Sequence, residues 1–329
     1  MGSYIARRLL YMIVTSFAIS VAVFIVIQLP PGDFITTIIN SLEARGVVLL
    51  QDDVNRLEAH YGLDRPVYEQ YFVWIRNIVL YGDFGISFEW GRPVSDLIWS
   101  RLGFTIMLSL SAMAFTWAVA FAIGVYTAVR QYSIGDYFFT FLGFLGLAIP
   151  NFLLALVLMY VSFRYFGQSA GGLFSPEYVS APWSWGRVVD LLSNIWIPIV
   201  IVGTAGTASL IRVMRANLLD ELRKPYVVTA RAKGVPERKA LLKYPVRVAL
   251  NPFVSTIGWM LPATISGETI VSIVLSLPTT GPLLLRAMQV QDMYLAGSFL
   301  LILGVLTVIG TAVSDVILAW LDPRIRYEK

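Results

Sequence analysis

Two acids stand inside or beside long apolar runs, and they are the chain's clearest candidates for chemistry. Glu268 lies in an apolar run beginning at Phe253, about fifteen residues in, which at 1.5 Å per helical residue is roughly 22 Å from the start of a span. A carboxylate at that depth is costly in hydrocarbon, so it must face water, find a partner or carry a proton. Two readings stay open: contact with a polar or cationic solute on a translocation path, or a neutral, hydrogen-bonded packing residue. Asp315 sits near the inner end of the last apolar run, where Arg212 or Arg215 is expected to neutralise it in a structural role. Other chemistries lack their reagents. The chain has no cysteine, so neither thiolate catalysis nor a disulfide is available. His60 is the only histidine, which leaves zinc catalysis without ligands, and it reads as a polar helix residue. No Gly-x-x-x-x-Gly-Lys-Ser/Thr sequence occurs, so the chain has no phosphate-cradling loop and is expected neither to hydrolyse ATP nor to be an enzyme.

A different capacity lies in Tyr226 to Pro252, YVVTARAKGVPERKALLKYPVRVALNP, a basic stretch between two apolar ones. Pro225 suits the first turn of a helix whose small apolar side is formed by Val227, Val228, Ala230 and Ala232. Gly234 can take the left-handed backbone that ends a helix, and Pro236 with Glu237 suits the first turn of the next. A helix, a tight corner and a helix make a shape for docking, with small side chains permitting close approach. Lys233, Arg238 and Lys239 are candidates to pair with acids on a partner, though exposed pairs are individually weak. The competing reading is a positive inside loop: ten basic residues lie between Arg212 and Arg247. A retention signal alone gives no reason for Pro225, Gly234 and Pro236 at helix-start and helix-stop positions.

The elements that must position these residues are membrane helices. The chain is 57% hydrophobic and only 14% charged, against roughly 25% charged for a soluble domain. Six uncharged or nearly uncharged runs are long enough to span, beginning near residues 9, 104, 137, 191, 253 and 298; only the fifth holds an acid, Glu268. Pro150 and Pro198 fall inside spans, where neighbouring helices or water must satisfy the freed carbonyls. The first run is too long for a signal peptide and Gln28–Gly32 lacks a small-residue cleavage pattern. Arg7, Arg8, Arg130, the ten cations from Arg212 to Arg247, and Arg324, Arg326 and Lys329 fall on one side. The positive-inside rule makes that side, with both termini, cytoplasmic. The net charge of +4 reflects this bias and gives no basic stripe for nucleic acid.

The expected organisation is all-α: a tail and first span over 1–29, an external segment over 30–103, and a five-helix core over 104–329 whose cytoplasmic loop covers 212–250. In the external segment Asp52 or Asp53 can cap a helix ending at Gly62, and Asp64 with Pro66 can start a second. Val67, Tyr71, Trp74, Ile75, Ile78 and Val79 form an apolar stripe on that second helix, expected to pack on the bundle rim. Beyond Glu268, Pro278, Gly281 and Pro282 interrupt the apolar run, so Leu277–Pro282 is expected to form a re-entrant corner at an external gate.

Five stretches together resemble one family: TARAKG (Thr229–Gly234), YGLDRPVYEQYFVWIRN with GDFGISF and GRPVSDLI (Tyr61–Asn77, Gly82–Phe88, Gly91–Ile98), and LDPRIRY (Leu321–Tyr327). The family is the oligopeptide, dipeptide and nickel permease group of ABC importer permeases, and the first stretch is similar to its cytoplasmic EAA loop. Against the broad EAA pattern the chain keeps Ala230 and Gly234, but Val228 and Thr229 stand at the first two positions, so no role passes to the missing glutamate. A glycine common in the family near the gate corner is replaced around Thr280. The resemblance implies that Thr229, Ala230, Ala232, Lys233 and Gly234 couple the chain to an ATPase. It also implies two cytoplasmic ATP-binding subunits that carry ATP and magnesium, with no cofactor bound by this chain. A second homologous permease completing a heterodimer and an extracytoplasmic substrate-binding protein docking on the rim are further implied partners. The setting is a bacterial or archaeal cytoplasmic (inner) membrane, with alternating access as the mechanism and peptides as the leading substrate, ahead of oligosaccharides or a nickel complex. Two other classes compete: a proton-coupled carrier using Glu268 and Asp315, and an intramembrane enzyme. The first lacks further spans or an internal repeat, and the second lacks a nucleophile with its base.

Overall fold

Runs of leucine, isoleucine, valine, phenylalanine and alanine without charge set the helices, and glycine, proline and polar residues end them. The computed structural model describes residues 2–29, 39, 65–166 and 171–321. In chain order the helices are α1 (Gly2–Gln28), α2 (Val67–Tyr81), α3 (Val94–Val129), α4 (Ile134–Ala148), α5 (Asn151–Phe166), α6 (Trp185–Leu222), α7 (Pro225–Ala232), α8 (Glu237–Lys243), α9 (Pro245–Ser255), α10 (Ile257–Val274), α11 (Thr280–Gln289) and α12 (Met293–Leu321). Among the described residues there is no strand, only an isolated bridge between Ile86 and Pro93. The expected helix from Asp52 or Asp53 to Gly62, with His60 and Asp64, and the LDPRIRY signature beyond Leu321 lie outside the described residues.

Among the described residues the regular structure is all helical, and the chain is a multi-pass membrane protein. Ala6–Gln28, Val94–Val129, Trp185–Thr204 and Met293–Ala319 are each long and apolar enough to cross a bilayer. The expected third span, through Pro150, is not one straight helix: α4 and α5 meet at a bend of 104°. Proline lacks the N–H needed to continue a helix and forces its predecessor out of the helical region. Ile149 accordingly sits at φ −85°, ψ 120°. Pro198, by contrast, is carried inside the continuous α6. The expected fifth span is divided at Thr256, so Glu268 rides on α10, an 18-residue helix, about 27 Å long.

The chain forms two compact units. The first comprises Phe104–Pro278 and the end of α12 from Ile309. Its two cores are built around α3 and α6, one including Leu108, Ala112, Ile195, Ile201 and Leu275, the other Ala120, Met214, Leu218, Ala249 and Phe253. The two helices approach closely where side chains are smallest. A Cβ at Gly203 would lie 2.6 Å from Phe115, and one at Gly124 2.7 Å from Met214, the small-residue contact typical of membrane helices. The Thr116 hydroxyl donates to the Gly203 carbonyl at 2.9 Å across this seam. With 38 residues, α6 runs about 57 Å, so its last turns form a stalk beyond the apolar span.

The second unit comprises Gly2–Gly103 and Thr279–Val308. Phe24 of α1, Tyr71 and Trp74 of α2 and Leu301 of α12 form its core, with Ile75 and Ile78 packed against it. The expected stripe on α2 is therefore narrower than its sequence spacing, because Val67 and Val79, at the helix ends, are exposed. Tyr71 and Ser20 share a hydrogen bond at 2.9 Å that ties α2 to α1.

Candidate functional site

The elbow at the end of the α6 stalk is built from local backbone rules. Pro225 occupies the first turn of α7, where its missing N–H costs nothing. The helix then stops in a two-bond motif: the Gly234 N–H donates to Arg231 O at 2.9 Å and the Val235 N–H to Ala230 O at 3.2 Å. Gly234 makes this possible at φ +73°. Pro236 lies just before α8, as its N-cap, one position earlier than the expected first turn, and Glu237 opens the helix. The Arg231 guanidinium grips the Glu237 carboxylate through two bonds, 3.0 and 2.5 Å long, closing the corner from its outer side. On the stalk side, the Tyr226 hydroxyl donates to Glu221. Partial burial, then the hydrogen bond and charge of Glu221, push that phenol above its usual range.

The five residues expected to couple do not share one face. Val227 and Ala230 are buried, as is Ala240 of α8, so the small side chain of Ala230 is needed for packing inside the chain. Thr229, Ala232, Lys233 and Gly234 are exposed, together with Val228. A Cβ on Gly234 would meet nothing within 4 Å. The outward surface is thus smooth at Ala232 and Gly234 and charged at Lys233, and it is held rigidly by the corner beneath it. Helix α9 follows directly: Val246, Ala249 and Phe253 pack with Met214 and Leu218 of the stalk.

Glu268 is fully enclosed. One carboxyl oxygen accepts the Ser109 hydroxyl of α3 at 3.1 Å. The other, Oε1, has no partner among the described residues, and neither has the hydroxyl of Ser272 one turn further along α10. Glutamine at 268 retains an acceptor for Ser109, so Glu268→Gln is expected to keep the chain's activity within about twofold of wild type. Leucine orphans Ser109 and is expected to cost about 1–3 kcal/mol, read as a lower unfolding midpoint in detergent. A tenfold loss with glutamine would contradict the packing role. Of the expected gate corner, Leu277, Pro278 and Thr279 lie between helices, whereas Gly281 and Pro282 belong to the first turn of α11. The turn begins at Ser276, with φ +53°, and the Leu277 N–H returns to Ser272 O at 2.8 Å.

Sequence reasoning missed two buried acids. Asp136, at the start of α4, accepts the Tyr132 N–H at 2.9 Å and pairs with Arg215 of the stalk at 2.8 Å. Of the two cations expected near Asp315, Arg212 and Arg215, the second is paired with Asp136. The spacing of Ser133 and Asp136 is a capping signature that could have disclosed it, and the Ser133 side chain does accept the Asp136 N–H. The second is Asp292, which begins α12. It accepts the Ser87 hydroxyl at 2.5 Å, the Glu89 N–H at 3.2 Å and the Leu295 N–H at 3.2 Å. Beside it, Arg286 bonds Glu89 at 2.6 Å. The loop from Gly82 to Pro93 is thereby clamped to the corner between α11 and α12.

Comparison with known proteins places this geometry. A family described as "Binding-protein-dependent transport system inner membrane component" matches residues 120–327. One described as "Binding-prot-dependent transport system membrane comp, N-term" matches residues 1–110. The oligopeptide transport system permease protein AppB of Bacillus subtilis is 35% identical over 99% of this chain and 100% of its own length. The glutathione transport system permease protein GsiC of Escherichia coli K12 is 32% identical over 100% of both chains. The oligopeptide permease protein OppB of Haemophilus influenzae is 30% identical over 99% of this chain and 100% of its own.

Proposed function

The chain belongs to the binding-protein-dependent transport system inner membrane component family, and from that premise we propose that it is one permease subunit of an ATP-driven importer of peptides. It is a transport component, not itself an enzyme. Its α7 elbow rests on a cytoplasmic ATP-binding subunit, and ATP with magnesium is bound and hydrolysed there. Two such subunits, a second homologous permease and an extracytoplasmic substrate-binding protein complete the assembly. The α4–α5 pair counts as one span and α10 as another, giving six, with both termini cytoplasmic and 30–103 outside. Transport follows from alternating access: closure of the ATPases pushes the elbow, and the stalk carries the displacement into the bundle as a rigid-body switch.

The observation that carries this reading is the exposed surface of Thr229, Ala232, Lys233 and Gly234 at the end of a helix that continues into the membrane. Relatives named for oligopeptides and for glutathione favour peptides over oligosaccharides or nickel complexes. The test is uptake of labelled tri- and pentapeptides into proteoliposomes holding the full assembly with its binding protein outside. Uptake is expected to require ATP on the ATPase side. Uptake driven by a proton gradient without ATP would overturn the reading in favour of a secondary carrier.

A further inference from the structure

Within the second unit, a notch of about 280 Å³ opens beside the α2–α3 connection. Its walls are largely aromatic, from Trp74, Phe88 and Tyr294 with Ile86, and Asn77 and Asp83 also line it. Asp83 accepts the Gly85 N–H at 2.9 Å with one carboxylate oxygen. It has no ion-pair partner among the described residues and is exposed. The walls are fixed in advance of any occupant. Phe88 and Tyr294 meet edge to face at 5.1 Å, Gly85 at φ +87° lies so close that a Cβ would stand 3.2 Å from the Tyr294 ring, and the loop bearing Ile86 and Phe88 is held by Asp292.

An apolar, aromatic cleft with one carboxylate that has no ion-pair partner among the described residues matches one kind of group: a long aliphatic stem ending in a cation. We propose that this notch receives a lysine or arginine side chain of the extracytoplasmic binding protein, with the stem against the aromatic walls and the charge on Asp83. The proposal rests on the importer reading, which puts this unit's loops outside the membrane. The site fixes the register in which the binding protein is received and makes its capture sensitive to salt.

The test uses the whole assembly in proteoliposomes and measures ATP-dependent peptide uptake against binding-protein concentration. Asp83→Asn keeps an acceptor for Gly85 and is expected to raise the half-saturating concentration about fivefold, with Asp83→Lys raising it more, and the difference from wild type should shrink as salt rises. A photoreactive residue at Ile86 should crosslink to the binding protein within a segment bearing a lysine or arginine. Wild-type uptake together with unchanged half-saturation in both variants, or crosslinks only to lipid or to the transported peptide, would overturn the notch. Absence of ATP-dependent uptake in wild type would instead overturn the importer reading itself.

Discussion

Replacing Gly234 with aspartate is expected to leave the chain inserted in the membrane while ATP-driven uptake falls by at least about tenfold. A left-handed backbone costs an L residue on the order of 1–2 kcal/mol, and aspartate and asparagine are among the side chains that tolerate it best. That strain is a small fraction of the stability of a bundle this size. A Cβ at 234 also meets nothing within 4 Å inside the chain, and a new carboxylate would lie among the exposed cations Lys233, Arg238 and Lys239. The chain itself therefore has little reason to fail. The loss must arise at a surface outside it, where an added side chain separates the elbow from its partner. Asparagine has nearly the same shape without the charge, so Gly234→Asn separates volume from electrostatics: equal losses assign the effect to close packing. Membrane yield, ATP hydrolysis and peptide uptake measured on the same preparations distinguish uncoupling from misfolding. Hydrolysis that continues while uptake stops is the expected signature. Normal uptake in both variants would show that this surface is not the joint.

Ala230→Glu is expected to fail in another way, because Ala230 lies inside the chain, in the same buried layer as Val227. Its replacement buries a charge within the elbow, and the corner loses its shape before any partner is involved. The two positions of the TARAKG stretch thus divide the labour: Ala230 keeps α7 in place and Gly234 both turns the chain and keeps the outer surface bare.

What could be read from sequence was local. Pro225, Gly234 and Glu237 specify their corner through backbone restrictions acting within a few residues, and the structure has that corner. The apolar runs disclosed which segments are helical but not whether each is straight. Pro150 ends one helix with a sharp bend, while Pro198 is absorbed into another, and the difference depends on packing that no local pattern contains. The inward turn of Ala230 and the outward turn of Val228 were equally hidden, since both are apolar and only tertiary contacts choose between them. Hardest to see were the buried acids. Ser87 and Asp292 are 205 residues apart in the chain, and nothing in either neighbourhood announces the other.

Loss of the Asp292 carboxylate is expected to release the loop from Gly82 to Pro93. The side chain is fully buried and answers the Ser87 hydroxyl, the Glu89 N–H and the Leu295 N–H at once. With alanine there, each donor left buried without an acceptor costs about 1–3 kcal/mol. Helix α12 also loses its N-cap, worth about 1 kcal/mol. The loop has few other polar ties, chiefly Arg286 to Glu89, an exposed pair of small value. Detachment is therefore cheaper than keeping three orphaned donors. Hydrogen exchange of the loop amides should rise by at least about tenfold in Asp292→Ala, while the α3–α6 core exchanges as in wild type. The wild-type loop should respond to pH with a definite sign. Burial, against several hydrogen bonds, raises the carboxyl's affinity for protons above that of a solvated aspartate. The attached loop consequently binds a proton more readily than the detached one, and attachment strengthens as pH falls through the window between the ordinary aspartate range and the raised one. Exchange corrected for its intrinsic pH dependence should slow across that window in wild type and stay flat in Asp292→Asn, which has no proton to take up. Faster corrected exchange on acidification of the wild type would show that the hydrogen bonds, not burial, govern this carboxylate.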